Sequence, residues 1–207
     1  IGALEEFVTA FPNSDLYPLA KVFLARGYFQ SDNMMKALET LESIEKVTYS
    51  LNHVVYANFL AIEIGDKAFE NTEYDTALRA YRRVRTKESL LRLQKRLVAR
   101  FEMDLAYMEE QKVDTFELAE RFRNERRLRA ALETTRDSMQ KLESAPDYDA
   151  GLFHRIGRCF YSVDRFWEAR VAFTRVVAEA TDKIIQEAGH FDLILCLNRL
   201  RVFPELI

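Results

Sequence analysis

Two stretches of the chain, ninety-two residues apart, carry the same residue classes at the same offsets. In one, Ile64-Gly65 is followed by Tyr74, Ala77, Tyr81 and Val84; in the other, Ile156-Gly157 is followed by Phe166, Ala169, Phe173 and Val176. Gly to Ala spans twelve residues in both, with an aromatic three before that Ala and another four after it. A further copy has Ala25 in the glycine position, then Tyr28, Ala37, Leu41 and Ile44. Ala3, Phe7, Ala10 and Phe11-Pro12 match the second half of a unit, and 190–200 reads as the first helix of a following one. Such repetition constrains the fold because each unit buries its apolar face against its neighbour.

The repeated unit must be helical. Between Asp66 and Ala145 there is neither Gly nor Pro, and a sheet protein would need turn residues many times over such a length. With 48% of the residues apolar, the chain can cover a sizeable core or a run of stacked units. The expected class is all-α, with two antiparallel helices per unit. Gly65, Gly157 and Ala25 fall where the first helix nears the second, and Ala77, Ala169 and Ala37 supply the matching small surface. Tyr28, Phe160, Tyr74, Phe166, Tyr81 and Phe173 fill the holes around that contact. Polar turns at 30–33, 70–73 and 162–165 suit helix ends.

These residues resemble the tetratricopeptide repeat (TPR) family, whose units carry small, aromatic, Ala and aromatic residues at these offsets. The resemblance implies a right-handed α-solenoid: a single domain over 1–207, with units at about 16–48, 57–86 and 149–180 and partial units at both ends. It also implies a protein-binding concave face lined by the first helices. The stretch Ala3 to Phe7 with Phe11-Pro12-Asn13-Ser14 further resembles bacterial cell-envelope members such as the Tol-Pal coordinator and the outer-membrane assembly lipoproteins. That points to the periplasm or cell envelope, with the cytoplasm as the alternative. Because the chain starts inside a second helix and stops after a first helix, it is expected to be part of a longer solenoid.

The unit spacing is irregular, and the excess lies in the middle. From Lys87 to Glu110 an apolar stripe passes through Leu91, Val98, Phe101, Leu105 and Met108, widened by Leu90, Leu93 and Leu97. From Phe116 a second stripe passes through Leu118, Phe122, Leu128, Leu132, Met139 and Leu142. A turn at Gln111 to Thr115, with Asp114 and Glu117 at capping-box spacing, predicts an inserted helical hairpin over about 87–144. Its arms would be about 35–40 Å long. The first arm could run on from the preceding second helix, since no breaker follows Tyr74. Each arm changes from basic to acidic along its length, so antiparallel pairing sets unlike charges side by side.

The net charge of −3 gives no bulk attraction to nucleic acid or anionic lipid. Arg121, Arg123, Arg126, Arg127 and Arg129 form the one local case for nucleic-acid binding, but Glu120 and Glu125 interrupt the run. The longest apolar run, Leu193 to Leu197, is five residues, far short of the ~20 that cross a bilayer. Cys159 and Cys196 have no disulfide or zinc spacing and read as small core residues. His53, His154 and His190 are dispersed, and no phosphate loop or Gly-x-Ser-x-Gly is present. Neither catalysis nor a cofactor is expected.

Binding by surface is the remaining reading. The concave face implied by the family maps onto Phe23, Arg26 and Phe29 in one unit, with Val22 beside them. It continues through Glu63, Asp66, Phe69 and Glu70, with Ile62, in the next, and His154, Arg155, Arg158 and Tyr161 in the last. That groove would pass from apolar through acidic to basic and suit a peptide or helix of a protein partner. Trp167 is expected to lodge against the following unit, and Leu193, Ile194, Leu195 and Leu197 to await a covering helix.

Overall fold

The computed structural model describes residues 1–44, 51–110 and 118–202, and every regular element among them is an α-helix. These are α1 (Gly2–Ala10), α2 (Tyr17–Gln30), α3 (Met34–Glu42), α4 (Leu51–Glu70), α5 (Tyr74–Arg83), α6 (Lys87–Glu110), α7 (Leu118–Ser144), α8 (Asp149–Ser162), α9 (Phe166–Glu179) and α10 (Lys183–Leu200). The chain divides into two compact units: Ile1–Arg85 with Tyr148–Ile207, and Thr86–Asp147. None of the described helices is long and apolar enough to cross a membrane.

In the larger unit each helix packs on its successors. α1 lies on α2, α2 on α3 and α4, α3 on α4 and α5, α5 on α8, and α8 on α9 and α10. The small residues explain how closely they approach. A Cβ on Gly65 would sit 2.4 Å from the Tyr81 ring, and one on Gly157 would sit 2.5 Å from the Phe173 ring. Both rings are fully buried, so neither can move aside. Where the marker is Ala25, the ring is replaced by Leu41, and both of those are fully buried. Methyl plus Leu occupies the space that bare backbone plus ring fills elsewhere.

The connecting turns repeat as strictly as the packing. Asp32, Thr72 and Asp164, each seven residues past a marker, have φ of 61°, 63° and 58°. The next amide in each turn reaches back five residues: Asn33 N–H to Tyr28 O, Glu73 N–H to Ala68 O and Arg165 N–H to Phe160 O, at 2.8–2.9 Å. This is a Schellman ending built without glycine. α10 ends the same way, with Arg201 at φ 58° and Val202 N–H on Leu197 O at 3.1 Å. α10 is therefore terminated like α2, α4 and α8.

Where the chain leaves this unit and returns to it, a buried polar clamp joins the two points. Asn58 donates to Arg85 O at 2.8 Å and accepts from Arg85 N–H at 3.0 Å, while the Tyr148 hydroxyl donates to the same carbonyl at 2.7 Å. The side chain of Asn58 thus satisfies backbone that no helix can pair. The first arm of the hairpin does not run on from α5: Val84 is extended, with ψ 128°, and a new helix starts at Lys87. Thr86 supplies the restart, its hydroxyl accepting from Ser89 N–H at 3.2 Å.

The smaller unit pairs α6 with α7, of 24 and 27 residues, or about 36 and 40 Å. Arg129 meets Glu109 at 3.2 Å and Arg136 meets Glu102 at 2.5 Å, so contacts seven residues apart run in opposite senses along the arms. The arms are antiparallel with a heptad-like step. The buried residues are Leu90, Gln94, Leu97 and Leu105 on one arm and Leu132, Thr135 and Leu142 on the other. Phe122 departs from the expected stripe: it is 63% exposed, because it shares the flanking position of Arg129 and Arg136 and not the seam. The turn at Gln111–Thr115, the Asp114–Glu117 box, Phe116, the Leu118 side chain and Phe203-Pro204 lie outside what is described.

Two further sequence readings change. Trp167 is 58% exposed and lies under the Arg170 guanidinium at 5.5 Å, so it does not lodge in a neighbouring helix. On α10, Leu197 and Cys196 are already buried, and Ile184, Phe191 and Ile194 are the large apolar residues that stand exposed.

Candidate functional site

The identical turns hold α2, α4 and α8 in one register, so residues two before, one after and four after each marker recur together. These are Phe23, Arg26 and Phe29; Glu63, Asp66 and Phe69; and Arg155, Arg158 and Tyr161. The structure uses many of them on one another. Arg26 pairs with Glu63 at 3.6 Å across α2 and α4. Asp66 accepts from Arg155 Nε at 2.8 Å on one oxygen and from Arg155 Nη2 at 3.2 Å on the other. The Tyr81 hydroxyl adds a third bond to Asp66 Oδ1 at 2.6 Å. Burial and that carboxylate together push the Tyr81 phenol well above its ordinary range, so it stays a donor.

Aromatic residues four past each marker form a second row. Phe69 meets Tyr74 edge-on at 5.3 Å, and Tyr161 meets Phe166 edge-on at 5.2 Å. A cation from the next first helix meets each of the three, two over the ring and one at the hydroxyl: Lys67 is 5.5 Å from the Phe29 ring, Arg158 is 4.7 Å from the Phe69 ring, and Arg199 Nε donates to the Tyr161 hydroxyl at 3.4 Å. Lys67 also pairs with Asp32. His154 Nε2 lies 2.8 Å from Asp192 Oδ2 on α10.

Around these contacts a cleft of about 640 Å³ opens, lined by Asp66, Phe69, Glu70, Tyr74, His154, Arg155 and Arg158 among others. Six of the sequence-derived candidates therefore converge on one cleft. Tyr161 lies just beyond it, in a cavity of about 180 Å³ shared with Arg158, Phe69 and Asp192. Phe23, Arg26, Phe29 and Glu63 belong to the α2–α4 part of the same face and do not line the cleft. Val22 is buried and Ile62 half-buried, so neither offers a surface as large as Phe23 does.

Sequence reasoning passed over several residues of this face. Tyr56 and Phe59 on α4 are 55% and 57% exposed, and the Tyr56 ring lies 6.5 Å from that of Phe23. Their three-residue spacing was the available signal, since one turn of helix puts both on the side of Glu63. Asp192 and Arg199 were also passed over; the register of α10, visible only from its terminal turn, brings them in.

Burial pushes the Cys159 thiol up to about 12, and Cys196 gives its hydrogen to Phe166 O at 2.9 Å. Among the described residues no three His, Cys, Asp or Glu side chains converge as metal ligands would. Paired charges, ring edges and an arginine over an aromatic ring surround the open cleft. No known family model matches this sequence, and no curated protein matches it either.

Proposed function

We propose that this chain is a TPR-like α-solenoid that binds a segment of a protein partner along the face formed by α2, α4, α8 and α10, without catalysis. The observation that carries the reading is the threefold recurrence of one turn, with a left-handed residue seven past each marker. That recurrence supports a stack of equivalent helix pairs, and a stack of this kind presents its first helices on one continuous surface. The cleft at Asp66, Phe69 and Arg158 is the concave part of that surface, and Phe23, Tyr56 and Phe59 supply an aromatic end. Placement in a bacterial cell envelope belongs to the same proposal and rests on the 3–14 resemblance alone.

Photo-crosslinking in cells that make the full protein tests the reading. A benzophenone side chain placed at Phe23 or Phe69 should capture a discrete protein, whereas one at Glu133 on α7 should not. Capture from Glu133 alone would move the interface to the hairpin and revive the nucleic-acid or hairpin alternatives.

A second reading has its own support. Asp66 uses both oxygens within the fold, and Arg26 and Glu63 meet each other. The face would then serve as mortar between units of a structural spacer. Under that reading Asp66→Ala lowers stability and leaves every crosslink in place.

A further inference from the structure

The ion pairs on the first helices follow a rule. The residue one past a marker bonds the residue two before the next marker: Arg26 with Glu63 at 3.6 Å, then Asp66 with Arg155 at 2.8 Å, the sign of the charge reversing at each step. The end of α10 extends the register. Arg201 and Val202 reproduce the turn of Asp164 and Arg165, which puts Ile194 in the marker position and Asp192 two before it. By the same rule Arg158, one past its marker, should bond Asp192.

It does not. Asp192 Oδ2 lies 2.8 Å from His154 Nε2, and Arg158 is instead spread over the Phe69 ring at 4.7 Å. Among the described residues Arg158 has no ion pair, although it and Asp192 line the same 180 Å³ cavity. Glu70 borders the larger cleft with Arg158 and is not paired to it. A planar guanidinium laid on a ring keeps its in-plane N–H groups for another acceptor. The cation that the repeat leaves over is thus the one that borders both cavities.

Resting on the groove reading above, we propose that Arg158 is the receptor for an acidic side chain of the bound segment, and that His154 positions Asp192 away from it. Phe69 and Tyr74 give the neighbouring residue of that segment an aromatic floor. The ligand class is therefore an internal Asp or Glu beside an apolar residue. His154 lines the cleft, but its part in this recognition is that of a positioning residue: it acts by occupying the competing carboxylate of Asp192.

The test follows the Arg158 side-chain Nε–H resonance by NMR while the full chain is titrated with three probes. These are acetyl-Phe-Glu-amide, acetyl-Phe-Gln-amide, and acetyl-Phe-Gln with a free terminal carboxylate. The first should bind about tenfold more tightly than the second, the difference a charge-assisted bond supplies. Arg158→Gln, at an exposed position, should abolish that preference. His154→Ala should weaken the acidic probe by freeing Asp192, and adding Asp192→Asn should restore it. A merely structural His154 would give no such restoration. Equal binding of the first two probes, tighter binding of the free-carboxylate probe, or no shift at Arg158 by about 10 mM overturns the assignment. The last corresponds to an interaction worth less than about 3 kcal/mol. Its failure is separable from that of the groove reading: a captured partner that survives Arg158→Gln keeps the groove and removes the receptor. A working receptor with no crosslinked partner does the reverse.

Discussion

The two units of this chain hold helices together in different ways. In the larger one, contact is made by removing side-chain volume: Gly65 under Tyr81, Gly157 under Phe173 and Gly189 under Val176, where an added Cβ would come within 2.4–2.5 Å of its neighbour. In the hairpin no glycine occurs, and α6 and α7 meet through Leu90, Leu97, Leu105, Leu132 and Leu142, with arginine–glutamate pairs along the edge. The first mode is intolerant of added volume but makes every unit alike. The second tolerates polar residues such as Gln94 and Thr135 in its seam, and it sets register by charge.

The contrast breaks most visibly at Leu90. Leu90→Ala should cost about 2–5 kcal/mol and raise hydrogen exchange in α6 and α7. A comparable rise throughout α2–α5 would mean that the units melt together and that their packing modes are not energetically separate. Next in size, Gly157→Ala should cost about 1–3 kcal/mol by overpacking against Phe173. Thermal melts of Gly157→Ala with Phe173→Leu should recover part of that loss, because Ala25 with Leu41 is the same solution found in the first unit. No recovery would show that the ring contributes more than volume.

Thr72 gives a gain instead. It is a β-branched residue at φ 63°, where its counterparts are Asp32 and Asp164. Thr72→Asn should raise stability by about 1 kcal/mol in a denaturant titration. An unchanged midpoint would mean that the local hydrogen bonds of the turn already offset the strain.

The smallest effect is expected at His53. It is buried, its Nε2 has no partner among the described residues, and desolvation, with Arg85 and Arg83 nearby, lowers its pKa from 6.5. Below that value the unfolded chain takes up a proton that the folded chain refuses. The stability contribution is thus complete above about pH 6.5 and is lost as pH falls toward the depressed folded value. His53→Leu should flatten the acid side of the stability profile relative to the parent. An unchanged slope would assign acid loss to the carboxylates.

Much of this was legible beforehand because local rules act on adjacent residues. The absence of Gly and Pro from 66 to 145, together with the 3.6-residue periodicity, gave helices. The repeated Gly and Ala marked close approach, where a Cβ would collide. Six candidate residues converge on one cleft because the same spacing aligns them on one helix face. Phe122 failed for a related reason: hydrophobicity alone does not separate a seam position from its flank one residue away. The start of the hairpin arm at Lys87 was legible from its apolar stripe, but whether the helix ran on from α5 was not, because Thr86 acts as a cap by the geometry of its hydroxyl and not through any breaker residue.

By itself, then, the sequence determined the helical class and the recurrence of small and aromatic residues that spaces the helices. It also determined where charge accumulates, since each of these depends on residues near one another in the chain. Only the tertiary structure decided who meets whom: Asn58 with Arg85 and Tyr148, Asp66 with Arg155, and Asp192 with His154 instead of Arg158. These partners are brought within bonding distance by packing across tens of residues. Which of two competing cations a carboxylate takes is a matter of geometry that no spacing rule encodes.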